Sequence, residues 1–122
     1  RLLRHVRPWA GRVGAVDRHA DALAWIAAHL PDVDTERTAG DPPVRRWPDA
    51  SFDLILANSV FTHIPLRRQE AWLHELARLL RPGGVALVTV LGDQHRDLLL
   101  DGPARQALAR DGVLEVGPEI DP

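Results

Sequence analysis

Cysteine, lysine, methionine and tyrosine are all missing from these 122 residues. Without Cys there is no disulfide, no thiolate nucleophile and no Cys-ligated metal. Without Lys or Tyr, Schiff-base and phenolic acid–base chemistry are excluded. A dominant charge is lacking too: 15 basic residues, every one Arg, stand against 17 acids, a net charge of −2 with His neutral. That balance gives no global pull toward nucleic acid or an anionic membrane. Apolar runs such as Leu54 to Ala57 and Val85 to Val88 fall far short of the ~20 residues a membrane helix needs. No Met stands at position 1 and no signal-peptide pattern follows. A start at Arg-Leu-Leu-Arg therefore reads as a fragment or processed product, with the cytoplasm as the expected compartment. What is present is a 45% hydrophobic composition, enough for a packed core and against wholesale disorder.

Two element types alternate along the chain. Arg12 to Val16 is a short apolar run ending at Asp17. Leu23, Ile26, Ala27 and Leu30 then recur at i, i+3, i+4 and i+7, one face of a helix that Pro31 closes. Val33 to Thr38 reads as a poor strand, Gly40-Asp41-Pro42-Pro43 as a break, and Arg45 to Ser51 as loop. Phe52 to Ala57 has the dense apolar character of a strand buried on both faces. Leu66 to Arg81 predicts a strong helix with a Leu73, Leu76, Ala77 and Leu80 stripe, Trp72 and Leu79 beside it. Arg67, Arg68, Glu70, Glu75 and Arg78 are expected on its wet side. Pro82-Gly83-Gly84 should stop that helix, and Val85 to Leu91 is the best strand in the chain. Pro103 to Arg110 predicts a short helix stopped by Gly112, and Val113 to Val116 a final strand before an irregular tail. The expectation is an α/β fold, a partial Rossmann-like, doubly wound, mostly parallel sheet with helices on both faces. In such sheets ligands bind at the carboxyl ends of the strands.

Three strand ends carry polar residues there. Asp17 can accept bonds from both hydroxyls of a ribose, or it is a helix N-terminal Asp stabilised by the dipole and nearby amides. Asp41 sits in a Gly-Asp-Pro turn that turn chemistry explains by itself. Asn58 and Ser59 follow the Phe52 strand, where ligand contact and turn formation both suit them.

Taken together, the run from Asp49 through Phe52-Asp53-Leu54-Ile55 to Asn58-Ser59-Val60-Phe61-Thr62-His63-Ile64 resembles the fourth-strand signature of class I S-adenosylmethionine-dependent methyltransferases. Leu79-Leu80-Arg81-Pro82-Gly83-Gly84 followed by Val85-Ala86-Leu87-Val88 is similar to their helix-to-fifth-strand signature. Asp17 after Val13-Gly14-Ala15-Val16 matches the second-strand acid, and the resemblance covers about residues 1 to 92. It implies S-adenosylmethionine as cofactor, with Asp17 on its ribose hydroxyls, Arg18 beside the adenine, Asp41 accepting from the adenine amino group, and Asn58 and Ser59 near the methionine end. Phe61 and His63 would line the passage to the acceptor, with His63 the one candidate general base, or else a histidine packed after the strand. Imidazole is the side chain suited to trade protons near neutral pH.

The family's acid-x-Gly-x-Gly-x-Gly loop is missing. Since the ribose acid lies ~20 residues beyond that loop, residues 1 to 122 are expected to be a single incomplete domain cut between loop and helix. Leu2, Leu3 and Val6 then belong to the apolar face of that helix, and terminal strands are expected to be missing as well. The absent first strand would leave unpaired backbone groups, so the isolated chain is expected to be unstable or to close the gap by non-family pairing. It is also expected to be inactive and to bind the cofactor weakly or not at all. The acceptor is expected to be a small molecule, with no nucleic acid and no membrane as partner. Three other readings stand beside this one. One is a non-catalytic remnant; another is a fragment of a nicotinamide-dependent oxidoreductase, which also uses a ribose acid. The third is a nucleic-acid module built on the Arg residues of positions 1 to 18 and on Arg45-Arg46-Trp47. Metal binding is not expected: the six His are scattered, and the HExxH-like start at His74-Glu75 has Arg at position 78.

Overall fold

A computed structural model describes residues 2–92, 96, 98 and 100–114. The chain divides into two units, residues 1–48 and 49–122. Each is an α/β arrangement built on a pair of parallel strands.

In the first unit a short helix α1 (Leu3–Val6) and a 3-10 turn (Arg7–Trp9) precede β1 (Val13–Asp17), α2 (Ala20–His29) and β2 (Val33–Arg37). The strands run parallel, from Val13 opposite Val33 to Asp17 opposite Arg37, so their carboxyl ends coincide. Helix α2 packs on both; Leu23 on its predicted apolar face and Leu30, which follows its last residue, are buried, while Ala27 stays exposed. β2 looks poor in sequence because its middle is charged. Asp34 and Glu36, two apart and so on one face of the strand, hold the segment that follows. Glu36 accepts hydrogen bonds from the amides of Arg45 at 2.8 Å and Arg46 at 2.6 Å. Asp34 pairs with the Arg46 guanidinium at 2.7 Å and with Arg12 at 3.1 Å. The segment at 44–47 has no regular structure, as expected, yet it carries Val44 and Trp47, 2% and 7% exposed. Side-chain carboxylates serve its backbone donors in place of a sheet ladder, which lets two large apolar groups be buried from a loop.

The second unit contains β3 (Phe52–Ala57), a 3-10 turn (Phe61–His63), α3 (Leu66–Leu79), β4 (Leu80–Val88) and α4 (Gly102–Asp111). β3 has the expected bounds but is not buried on both faces. Asp53 and Leu54 are exposed, and so are Val85 and Leu87 on its partner β4. A strand's faces are covered by helices or a second sheet packed on them, and among the described residues nothing covers these side chains.

Helix α3 buries a different stripe from the one its leucines suggest. Trp72, Glu75 and Leu79 are buried, whereas Leu73 is 51% exposed and Ala77 is exposed. Trp72 contributes the larger apolar area and turns the helix toward itself. Glu75, placed by its charge on the wet side, is 6% exposed. Its carboxylate is satisfied by the Arg78 guanidinium, at 2.6 and 2.9 Å. Arg78 also reaches Asp49 at 2.7 Å. Glu75 first, and Asp49 after it, raise the Arg78 pKa above the ordinary arginine value. This bidentate pairing is what makes a buried carboxylate tolerable.

Pro82-Gly83-Gly84 is not a simple stop. The helix already ends at Leu79, and β4 starts at Leu80 opposite Phe52. The register then slips, and Leu54 pairs with Val85. The intervening residues form a bulge in which Gly83 has φ +82°. At Gly84 a Cβ would lie 2.9 Å from the Arg81 carbonyl oxygen and 3.1 Å from that of Asp53. β4 ends at Val88 rather than Leu91. α4 extends one residue beyond the expected Pro103 to Arg110 at each end, and Gly112 stops it as expected, at φ +74°; its N-terminus is capped by Asp101, whose side chain accepts from the Ala104 amide at 2.9 Å. Val113 and Leu114 are not in a strand, and positions 115 and 116 of that expected strand, the tail after them and His95 lie outside the described residues. Among the described residues no helix is long and apolar enough to cross a membrane.

Candidate functional site

In the first unit the expected residues converge on the carboxyl ends of β1 and β2. Asp17 is the last residue of β1 and half-buried. Its Oδ1 accepts from the His19 amide at 2.9 Å. That bond is the local role expected of an acid before a helix, and among the described residues it leaves Oδ2 without a partner. The Asp17 carbonyl accepts from the Thr38 amide at 3.0 Å. The neighbouring Arg18 carbonyl accepts from Arg37 Nε at 3.1 Å. Thr38 then organises the turn carrying Asp41: its hydroxyl donates to the Asp41 carbonyl at 3.2 Å and accepts from the Gly40 amide at 3.2 Å. Asp17, Arg18 and Asp41 are thus tied to the carboxyl end of one small sheet by Arg37 and Thr38, whose sequence context marks them only as strand residues.

In the second unit Asn58 and Ser59 follow the last residue of β3, opposite the end of β4, and both are exposed. The Ser59 amide donates to Thr89 Oγ1 at 2.7 Å, and the Thr89 amide donates to the Ala57 carbonyl at 3.2 Å. Thr89, read from sequence as strand interior, is instead the clasp of this strand end; the signal was a single hydroxyl interrupting Val85 to Leu91. Phe61 is 5% exposed, so its ring belongs to the packing of the unit and does not line an open passage. His63 is exposed at the end of the 3-10 turn. That turn is anchored to α3 by Gln69, whose side-chain amide donates to the carbonyls of Phe61 at 3.2 Å and Ile64 at 2.9 Å.

Other features fall away from the strand carboxyl ends. A pocket lined by Arg4, Arg7, Pro8 and Asp32 lies at the amino end of β2, which Asp32 directly precedes. The Arg7–Asp32 pair, 2.5 Å apart, closes across it. The Arg45-Arg46-Trp47 constellation is not a stacking platform, because Trp47 is buried and Arg46 is paired with Asp34. Among the described residues no three His, Asp or Glu gather as metal ligands.

A family model of the methyltransferase domain matches residues 1–88. The chain belongs to that family. The matched span ends on the last residue of β4, so it takes in the four strands described here for this methyltransferase domain and every candidate site residue, and it leaves α4 outside. Membership of the family makes methyl transfer the chemistry of the domain. The bulge at Arg81 to Gly84, the α3–β4 junction and the polar ends of β1, β2 and β3 are all inside the match.

Proposed function

We propose that this methyltransferase domain uses S-adenosylmethionine and serves a small-molecule acceptor. The observation that carries the reading is Asp17, a half-buried carboxylate at the end of a parallel strand. One of its oxygens is used by the following turn, and among the described residues the other has no partner. A carboxylate so held suits a vicinal diol, which offers two adjacent donors. Arg18 and Asp41, at the same end, suit an adenine ring and its amino group. Asn58 and Ser59 present an amide and a hydroxyl, donors and acceptors both, which suit the zwitterionic methionine end. His63 is the candidate base for an acceptor that must lose a proton.

Bound S-adenosylmethionine supplies a methyl group already activated on a sulfonium. The chain's own work is to bind, to orient an acceptor and to exclude water. Against a nucleic-acid acceptor stands the pairing of Arg7 with Asp32, of Arg12 and Arg46 with Asp34, and of Arg78 with Glu75 and Asp49. Cations so paired are poorly placed to grip a phosphate backbone.

Residues 1–122 hold no acid-x-Gly-x-Gly-x-Gly segment to offer backbone amides to the methionine portion, so weak binding is the expected regime for them, and ligand-observed saturation-transfer NMR reads it. Transfer to the adenine and ribose protons of S-adenosylmethionine is expected, reduced several-fold in Asp17→Ala and weaker for NAD. Equal transfer in Asp17→Ala, or stronger transfer to NAD, overturns the reading.

A further inference from the structure

We infer that Thr89 is a positioning residue of the β3 strand end, holding the Asn58-Ser59 turn in the shape that meets the cofactor's methionine end. The inference rests on the proposed use of S-adenosylmethionine and adds a residue to that site. Ser59 has φ +56°, in the left-handed region, a conformation that residues with a Cβ adopt only when their surroundings hold them there. The holding group is visible. Thr89 Oγ1 accepts the Ser59 amide hydrogen at 2.7 Å, and the Thr89 backbone is itself fixed by donating to the Ala57 carbonyl at 3.2 Å. One residue just past β4 therefore grips β3 both at its last residue and two residues beyond. Asn58 lies between the two grips, and neither bond uses its side chain.

The parallel register makes this possible. Ala57 stands opposite Val88, so the next residue on β4 arrives level with the turn that leaves β3. An apolar residue at 89 would fill the same space but leave the Ser59 amide to find another acceptor, and Asn58-Ser59 could relax into a commoner turn. A hydroxyl is the requirement, and a β-branch is not.

The test compares Thr89→Val, which keeps the shape and loses the acceptor, with Thr89→Ser, which keeps the acceptor. Two readouts are taken on the full chain: hydrogen exchange of the Ser59 amide, and saturation transfer to S-adenosylhomocysteine at its homocysteine protons and at its adenine protons. In Thr89→Val the Ser59 amide is expected to exchange at least tenfold faster. Transfer to the homocysteine protons should fall several-fold while transfer to adenine persists. Thr89→Ser should restore both. Unchanged Ser59 exchange in Thr89→Val overturns the hydrogen-bonding role. Faster exchange with undiminished homocysteine transfer overturns the link to the ligand and leaves Thr89 structural. Absence of transfer to either end from the unaltered chain overturns the cofactor reading and the ligand half of this inference with it, whereas the Ser59 exchange result still decides the hydrogen-bonding half.

Discussion

At Gly84 the obstacle to any side chain is backbone: the carbonyl oxygens of Arg81 and Asp53 would lie 2.9 and 3.1 Å from an added Cβ, and the Leu80 Cδ2 methyl 3.0 Å away. Neither carbonyl can swing aside as a side-chain tip can. Gly84→Ala is therefore expected to cost about 1–3 kcal/mol. Gly83 meets nothing within 4 Å but has φ +82°, so Gly83→Ala should cost about 1–2 kcal/mol from the left-handed backbone alone. Denaturant unfolding of the two variants measures both. A second residue-level expectation concerns acid. The Arg46 guanidinium, and after it Arg12, hold the Asp34 carboxyl below its ordinary value of 3.8. A depressed folded pKa contributes stability that is present above the unfolded value and lost as pH falls through the folded one. Asp34→Asn should flatten the stability–pH curve below about pH 4 and lower the plateau above it. Unfolding midpoints measured from pH 2 to 7 check this, and an unchanged acid limb would show that the pair carries no linkage.

Among the elements, α3 shows why periodicity and burial can disagree. Leu73, Leu76 and Ala77 define one stripe, Trp72, Glu75 and Leu79 another, and the second is buried. Trp72→Ala is expected to cost ~3–5 kcal/mol and Leu79→Ala ~2–5. Leu73→Ala should stay within about 0.5 of the parent, as surface changes do. Equilibrium unfolding ranks the three, and a large loss at Leu73 would place the helix the other way round. β2 makes the complementary case. Its charged middle argues against a strand on propensity, but Asp34 and Glu36 are consumed by Arg12, Arg46 and two loop amides. The charges that made it look weak are what fasten it to the segment carrying Val44 and Trp47.

On the scale of the whole molecule, each unit owns a buried tryptophan: Trp47 in the first and Trp72 in the second, while Trp9 is 90% exposed. Variants retaining only Trp47 or only Trp72, the others replaced by Phe, should emit in the blue and resist acrylamide quenching until they unfold. A Trp9-only variant should emit in the red and quench freely throughout. Emission spectra along a denaturant titration would show it, and a red native spectrum for either buried reporter contradicts the packing described. The sequence by itself determined the alternation of strands and helices, the α/β class with parallel pairing, and the family, because these rest on local periodicity, on turn residues such as Gly112, and on short ordered motifs around Asp17, Phe52 and Arg81. It also put Asp17, Asn58 and Ser59 at strand ends, since a strand stops where its apolar run stops. Only the tertiary structure decided which face of α3 is buried, that a loop supplies Val44 and Trp47 to the interior, that Pro82-Gly83-Gly84 is a bulge inside β4, and that Thr89 clasps Ser59. Those outcomes depend on which partner reaches a given carboxylate, amide or hydroxyl from a distant part of the chain. Such pairings are set by the register between strands and the space between elements, which no stretch of a dozen residues contains.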